Sequence, residues 1–338
     1  MKRALSLCFA LLFVLLPLVA CTAPAEEMQK EPEKQEPLPA DYTALFAAVD
    51  AVPADKTPYT KKSLAALDAA LDAVRYGLKE DEQAAVDAMT HEIESAVETL
   101  EKKITFTSYQ EIIDYVDSLG IDFSDLASFD MSGYFEDYLL TETEDAGKEY
   151  LDATYYIGDS LTLYMHRYAS LPRKNIYGVG SINPQNAVLD DLVTLRNGTK
   201  GTFAEAMGEE KPARVVLTIG TNSMIMDSID YITYFGKLID DIHAQSPDTV
   251  IILQSTSPLT AAYEKNMRLL TNRNINRANM LLAGLAAFKN AYYLNTAEAL
   301  KDANGQLDVK YDLGEGYGHI NADAYAVWEH YLRTHAVG

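Results

Sequence analysis

Residues 215–223 read Val215-Val216-Leu217-Thr218-Ile219-Gly220-Thr221-Asn222-Ser223. The first five are β-branched or leucine, so the segment favours an extended chain. A strand that is apolar at nearly every position has no face to give to water. It must be covered on both sides, as in a parallel sheet flanked by helices. The glycine and short polar residues that follow end the strand and turn the chain. Four more short runs have the same character: Thr154–Ile157, Asn175–Val179, Val250–Gln254 and Ala291–Leu294. Helical patterns lie between them, clearest in Ile225, Ile229, Ile232, Phe235, Leu238, Ile239 and Ile242. Strands alternating with helices predict an α/β domain with a parallel sheet of about five strands and helices on both faces. Such sheets carry their chemistry at the carboxyl ends of the strands.

Working outward, Asp41 to Lys103 is helical in pattern. Leu64, Leu67, Leu71, Val74 and Leu78 form one apolar stripe over Thr60–Leu78. Val86, Met89, Ile93, Val97, Leu100 and Ile104 form a second. Two stripes can zip together, and a shorter helix around Tyr42–Val49 completes a small three-helix bundle. His91 falls on the solvated side of its helix. Residues 105–150 form a connector that packs on the second domain, with one helix over Tyr109–Leu119 stopped by Gly120.

The N-terminus speaks to compartment. Lys2 and Arg3 precede an almost wholly apolar run from Ala4 to Ala20, too short to span a membrane comfortably. The run ends Leu18-Val19-Ala20-Cys21, which resembles a bacterial lipobox. That resemblance implies cleavage before Cys21 and lipidation of its thiol. The protein would then sit on the bacterial surface, anchored to the membrane by lipid. Residues 21–40, rich in Glu, Lys, Gln and Pro, read as a flexible tether. The only cysteines are Cys8 and Cys21, so no internal disulfide or cysteine metal site is expected in the mature chain.

The chain has 338 residues, 50 of them acidic and 28 basic, for a formal charge of −22. A phosphate backbone needs a basic face, so this balance argues against a nucleic-acid partner. No metal-ligand cluster and no glycine-rich phosphate loop is evident, and no cofactor is expected.

The residues after the strands carry the chemistry. The first strand runs into Ile157-Gly158-Asp159-Ser160-Leu161, which places a serine at the start of the next helix. Backbone N–H groups and the helix dipole there favour a developing oxyanion. The second strand ends Tyr177-Gly178-Val179-Gly180-Ser181, and the third ends at Asn222. Near the C-terminus stand Gly318-His319-Ile320-Asn321-Ala322-Asp323-Ala324-Tyr325. In this order the blocks resemble the SGNH (GDSL-type) hydrolases across residues 151–338. The resemblance implies a flavodoxin-like α/β domain and a serine ester hydrolase. Ser160 matches the nucleophile and His319 its base. Gly180 N–H and the Asn222 side-chain amide match the oxyanion donors beside Ser160 N–H, with Gly178 a lesser alternative to Gly180. Asp159 is expected to order its loop.

Two positions depart from the family pattern. Ser223 stands where the family usually has Asp. Gly316 stands three residues before His319, where the family has the acid. Glu315 and Asp312 are the carboxylates just upstream, and Glu315 is the nearer. With neither, a Ser–His dyad remains. Residues 41–104 resemble the FIVAR module of Gram-positive surface proteins. The resemblance rests on Tyr59-Thr60 with Ser63, an Ala/Leu helix and the run from Gln83-Ala84-Ala85-Val86-Asp87 to Ala96-Val97-Glu98-Thr99-Leu100. Other polar residues read as bystanders: His166 points away from Ser160, and His243, His330 and His335 are exposed. Asn276 and Asn279 are solvated helix positions or shape the cleft, while Tyr325 and Trp328 are core. The functional expectation is an extracytoplasmic esterase acting on O-acylated, above all O-acetylated, glycans. An inactive binding lipoprotein and an acyltransferase using the same site are the alternatives.

Overall fold

The computed structural model of the protein describes residues 37–337. The leader, Cys21 and most of the tether lie outside the described residues. Three helices come first: α1 (Thr43–Asp50), α2 (Lys61–Asp72) and α3 (Gln83–Glu98). Leu45, Ala48, Val86, Met89 and Ile93 form their shared core. Thr60 caps α2 by accepting from Ser63 N–H. Two of these helices are shorter than their apolar stripes. α2 stops at Asp72 with Ala73 as its C-cap, and the chain runs on through Gly77 at φ +84°. Val74 and Leu78 still pack on the bundle core, but from a loop. α3 stops at Glu98, and the chain then pairs backwards: Thr60 N–H donates to Glu101 O and Lys103 N–H to Pro58 O. Apolar spacing reports burial, and irregular chain can be buried too.

The connector begins with α4 (Tyr109–Ser118), which Gly120 terminates at φ +65°. Ile112, Val116, Phe123, Phe135 and Leu139 are buried in the same core as the sheet. Leu139 forms a parallel bridge to Tyr293, with Leu140 N–H donating to Tyr293 O at 2.8 Å and Tyr293 N–H to Tyr138 O at 2.8 Å. The connector thus covers what would be a bare strand edge. The short helix α5 (Gly147–Asp152) leads into the sheet domain.

That domain alternates as follows: β1 (Thr154–Gly158), α6 (Ser160–Tyr168), β2 (Ile176–Gly178), α7 (Pro184–Leu189), β3 (Val193–Thr194), β4 (Lys200–Gly201), α8 (Phe203–Glu210), β5 (Arg214–Thr218), α9 (Ser228–Gln245), β6 (Val250–Gln254), α10 (Ala261–Glu264), α11 (Asn272–Lys289), β7 (Tyr292–Leu294) and α12 (Ala322–Thr334). β3 and β4 form a small antiparallel pair. The other five strands make one sheet in the order β2-β1-β5-β6-β7, and every pairing in it is parallel. Both faces are buried. Val215 and Leu217 point into one core with α4, α8, α9 and α11, and Val216 into the other with α5, α6 and α12. This is why residues 215–219 are apolar without alternation. From β1 the strand order runs one way to β2 and the other way to β5, so the crevice opens at the carboxyl ends of β1 and β5.

Candidate active site

Ser160 is the first residue of α6, directly after β1. Asp159 is the N-cap and accepts from Leu161 N–H at 3.0 Å. Two glycines make this sharp exit possible. A Cβ on Gly158 would lie 2.2 Å from Thr218 O, and one on Gly178 would lie 2.2 Å from Leu163 N. The start of α6 therefore lies directly on β2, and Gly178 is there for packing. Gly180, two residues further on, has open space around its Cα, with only Leu163 Cδ2 within 4.0 Å of a Cβ.

The level register of the sheet brings the turns together. Gly158 pairs with Gly178 on one side and with Thr218 on the other. Ser160, Gly180 and Asn222 follow these residues by two to four positions, on three adjacent strands. Among the described residues, the N–H groups of Ser160 and Gly180 and the Asn222 side-chain amide have no hydrogen-bond acceptor. Asp159 fastens two of the turns to each other. It is 1% exposed, and its second oxygen accepts from Gly220 N–H at 3.3 Å. Burial pushes its pKa up from 3.8 to about 6, against the backbone N–H bonds that favour the carboxylate.

Behind Gly220 the chain is equally tight. A Cβ there would meet Thr256 Oγ1 at 1.8 Å. Thr256 is held by Asn279, whose Oδ1 accepts from Thr256 N–H at 2.8 Å and whose Nδ2 donates to Thr256 O at 3.2 Å. Asn276 and Asn279 are both 2% exposed, so these are buried packing residues of α11 and not solvated positions. Ser223 is also 2% exposed, with its hydroxyl unpaired among the described residues. It lines a cavity of about 180 Å³ with Met224, Tyr231 and Arg277.

His319 enters from the loop before α12. Tyr325 on α12 donates its hydroxyl to Leu161 O at 2.6 Å, which holds that helix against the start of α6. His319 Nε2 lies 3.1 Å from Ser160 Oγ, and the side chain is 15% exposed. On the other edge of the ring, Nδ1 lies 3.4 Å from Glu315 Oε2. Asp312 is directed elsewhere. It pairs with Ile320 in a narrow hairpin closed by Leu313 N–H to His319 O, and its carboxylate accepts from Gly314 N–H at 3.0 Å. Gly316 has φ +76°, a left-handed turn residue at the position where the family acid stands. The Tyr164 ring meets the His319 ring edge-on at 4.4 Å between centroids.

The remaining sequence candidates are placed away from this centre. His243 is not exposed: its Nε2 lies 3.1 Å from Thr249 O, half-buried. His335 is half-buried too, stacked on Tyr331 at 3.7 Å. His330 and His91 are exposed. His166 is half-buried on α6, and burial lowers its pKa. Tyr325 and Trp328 are core residues at 0% and 4% exposure. The link from Tyr164 to the histidine was not foreseen, although its spacing of four from Ser160 on a helix was a usable signal.

A doubly wound parallel sheet, a serine at the end of its first strand and a histidine before its last helix define the SGNH class of α/β hydrolase domains. The model of the GDSL-like lipase/acylhydrolase family matches residues 156–327, and the chain belongs to that family. No curated protein matches the sequence. Among solved structures, a GDSL-like lipase from Bacteroides thetaiotaomicron is similar at 14% identity and TM-score 0.40, covering 65% of this chain and 93% of that one. A family 3 carbohydrate esterase from Clostridium thermocellum is similar at 18% identity and TM-score 0.33, covering 52% and 92%. A carbohydrate acetylesterase from Sinorhizobium meliloti is similar at 14% identity and TM-score 0.37, covering 53% and 95%.

Proposed function

We propose that the protein is an extracytoplasmic serine ester hydrolase that removes acyl groups, acetyl above all, from cell-envelope or environmental glycans. Ser160 is the nucleophile, His319 its base and Glu315 the carboxylate that orients the base. The observation that carries this reading is the 3.1 Å approach of Ser160 Oγ to His319 Nε2, at strand ends in level register that also carry three N–H donors unpaired among the described residues. With the proton on Nδ1 facing Glu315, Nε2 is free to accept the serine proton. Ser160 Oγ then bonds to the ester carbonyl carbon. Ser160 N–H, Gly180 N–H and the Asn222 amide receive the oxyanion, each worth about 3 kcal/mol in the transition state. Collapse breaks the bond to the alcohol oxygen, which leaves with the proton from Nε2. Water, deprotonated by the same nitrogen, next attacks the acyl-enzyme and releases the acid, and the proton returns to Ser160.

Support for a glycan substrate comes from the rim. Tyr317 is 69% exposed beside His319, with 6.3 Å between the ring centroids. An exposed aromatic ring can stack on the C–H surface of a sugar ring. The lipobox-like Leu18-Val19-Ala20-Cys21 supports lipidation at Cys21 and a place on the cell surface, with the FIVAR-like bundle as a spacer. The test is turnover of p-nitrophenyl acetate and of acetylated oligosaccharides by wild type and by Ser160→Ala. Loss of both activities in a folded mutant is expected. A mutant that keeps most of its activity refutes the assignment of Ser160.

A further inference from the structure

Tyr164 follows Ser160 by four residues on α6. One helical turn puts i and i+4 on the same face, one above the other. The tyrosine therefore rises beside the nucleophile, toward the loop that brings His319. Its ring meets the imidazole edge-on at 4.4 Å, and its hydroxyl donates to Glu315 Oε2 at 3.4 Å. That same Oε2 is the atom facing His319 Nδ1. One carboxylate oxygen is thus held from two sides, by a phenol and by an imidazole. The Tyr164 hydroxyl titrates above its ordinary range, through desolvation first and the Glu315 charge second.

The need for a second holder follows from the loop. Gly314, Gly316 and Gly318 all have positive φ, and glycine restricts the backbone least of all residues, so Glu315 depends on side-chain contacts to hold its place. The Glu315 side chain is 40% exposed and has three torsions to order. Left alone it would spend much of its time in water. We propose that Tyr164 is a positioning residue that keeps Glu315 on the imidazole, compensating for the absence of a side chain at position 316. The proposal accepts Ser160 and His319 as the reacting pair, but its first readout does not depend on turnover.

That readout is the ring ¹⁵N spectrum of His319 in histidine-labelled full-length protein, for wild type, Tyr164→Phe, Glu315→Gln and the double mutant. The wild-type ring should be held with its proton on Nδ1. Tyr164→Phe keeps the ring packing and removes only the hydroxyl. It should shift the spectrum toward mixed tautomers, in the direction of Glu315→Gln, and the double mutant should go no further. The second readout is kinetic: kcat of Tyr164→Phe should fall about tenfold with KM unchanged, as for a group that orients a catalytic side chain. The proposal is overturned if Tyr164→Phe leaves both spectrum and kcat at wild type while Glu315→Gln changes them. It is overturned equally if the two substitutions add independently. A wild-type protein that shows the Tyr164-dependent spectrum but hydrolyses no ester would refute the hydrolase reading and sustain this one.

Discussion

Replacing Asp159 by Asn probes the joint between the turn that carries Ser160 and the turn that carries Asn222. Asp159 is 1% exposed and accepts from Leu161 N–H and Gly220 N–H. Its folded-state pKa of about 6 stands above the ordinary 3.8 because burial disfavours the charge. The folded state therefore holds a proton that the unfolded chain has already lost between these two values. The associated stability is fully present below pH 3.8 and is lost as pH rises through about 6. A shift of about two units corresponds to about 3 kcal/mol. For a domain the size of residues 151–338 that is roughly 6–12 °C in melting temperature. Asn does not titrate, so the difference in stability between wild type and Asp159→Asn isolates this one group. Melting both proteins from pH 4 to pH 7 should show wild type losing about 2.4 kcal/mol relative to the mutant, the rest of the effect lying below pH 4. Asn offers one carbonyl oxygen for two N–H donors, so kcat should fall at every pH. A stability difference that stays flat across this range would refute the placement of a titrating carboxylate between the two turns.

Other perturbations have distinct signatures. Gly178→Ala forces a Cβ to within 2.2 Å of Leu163 N. It should cost about 1–3 kcal/mol in melts and displace Ser160 enough to lower kcat. Asn222→Ala should lower kcat by about 10²–10³ with KM nearly unchanged, and a change confined to KM would make it a substrate-binding residue instead. Glu315→Gln should lower kcat and alter the pH–rate profile, whereas Asp312→Asn should leave both unchanged; the reverse result would exchange their roles. Membrane fractionation and mass spectrometry should find wild type lipidated at Cys21, and Cys21→Ser released or unprocessed.

The sheet was legible because a strand buried on both faces has no polar positions, as in Val215-Val216-Leu217. Helix ends were less so: Val74, Leu78, Leu100 and Ile104 keep the apolar spacing yet lie half-buried outside α2 and α3, with Val74 and Leu78 packed on the bundle core and Ile104 on the core of the sheet. The pairing of Ser160 with His319 spans 159 residues, so spacing could not reveal it. The order of the four blocks did. The choice between Glu315 and Asp312 depended on a register that no composition discloses. Once Asp312 pairs with Ile320, its carboxylate turns to Gly314 and only Glu315 faces the ring. The contribution of residues 105–150 to the sheet's core, and the close packing of α6 on Gly178, are properties of tertiary contact alone.

The most direct measurement is covalent labelling of the purified protein with a fluorophosphonate, followed by peptide mapping. A nucleophile activated by His319 should give a single adduct on Ser160, absent from Ser160→Ala and slowed in His319→Ala. An intact protein that forms no adduct, or forms it on another residue, would contradict the assignment of Ser160 and His319 as the reacting pair.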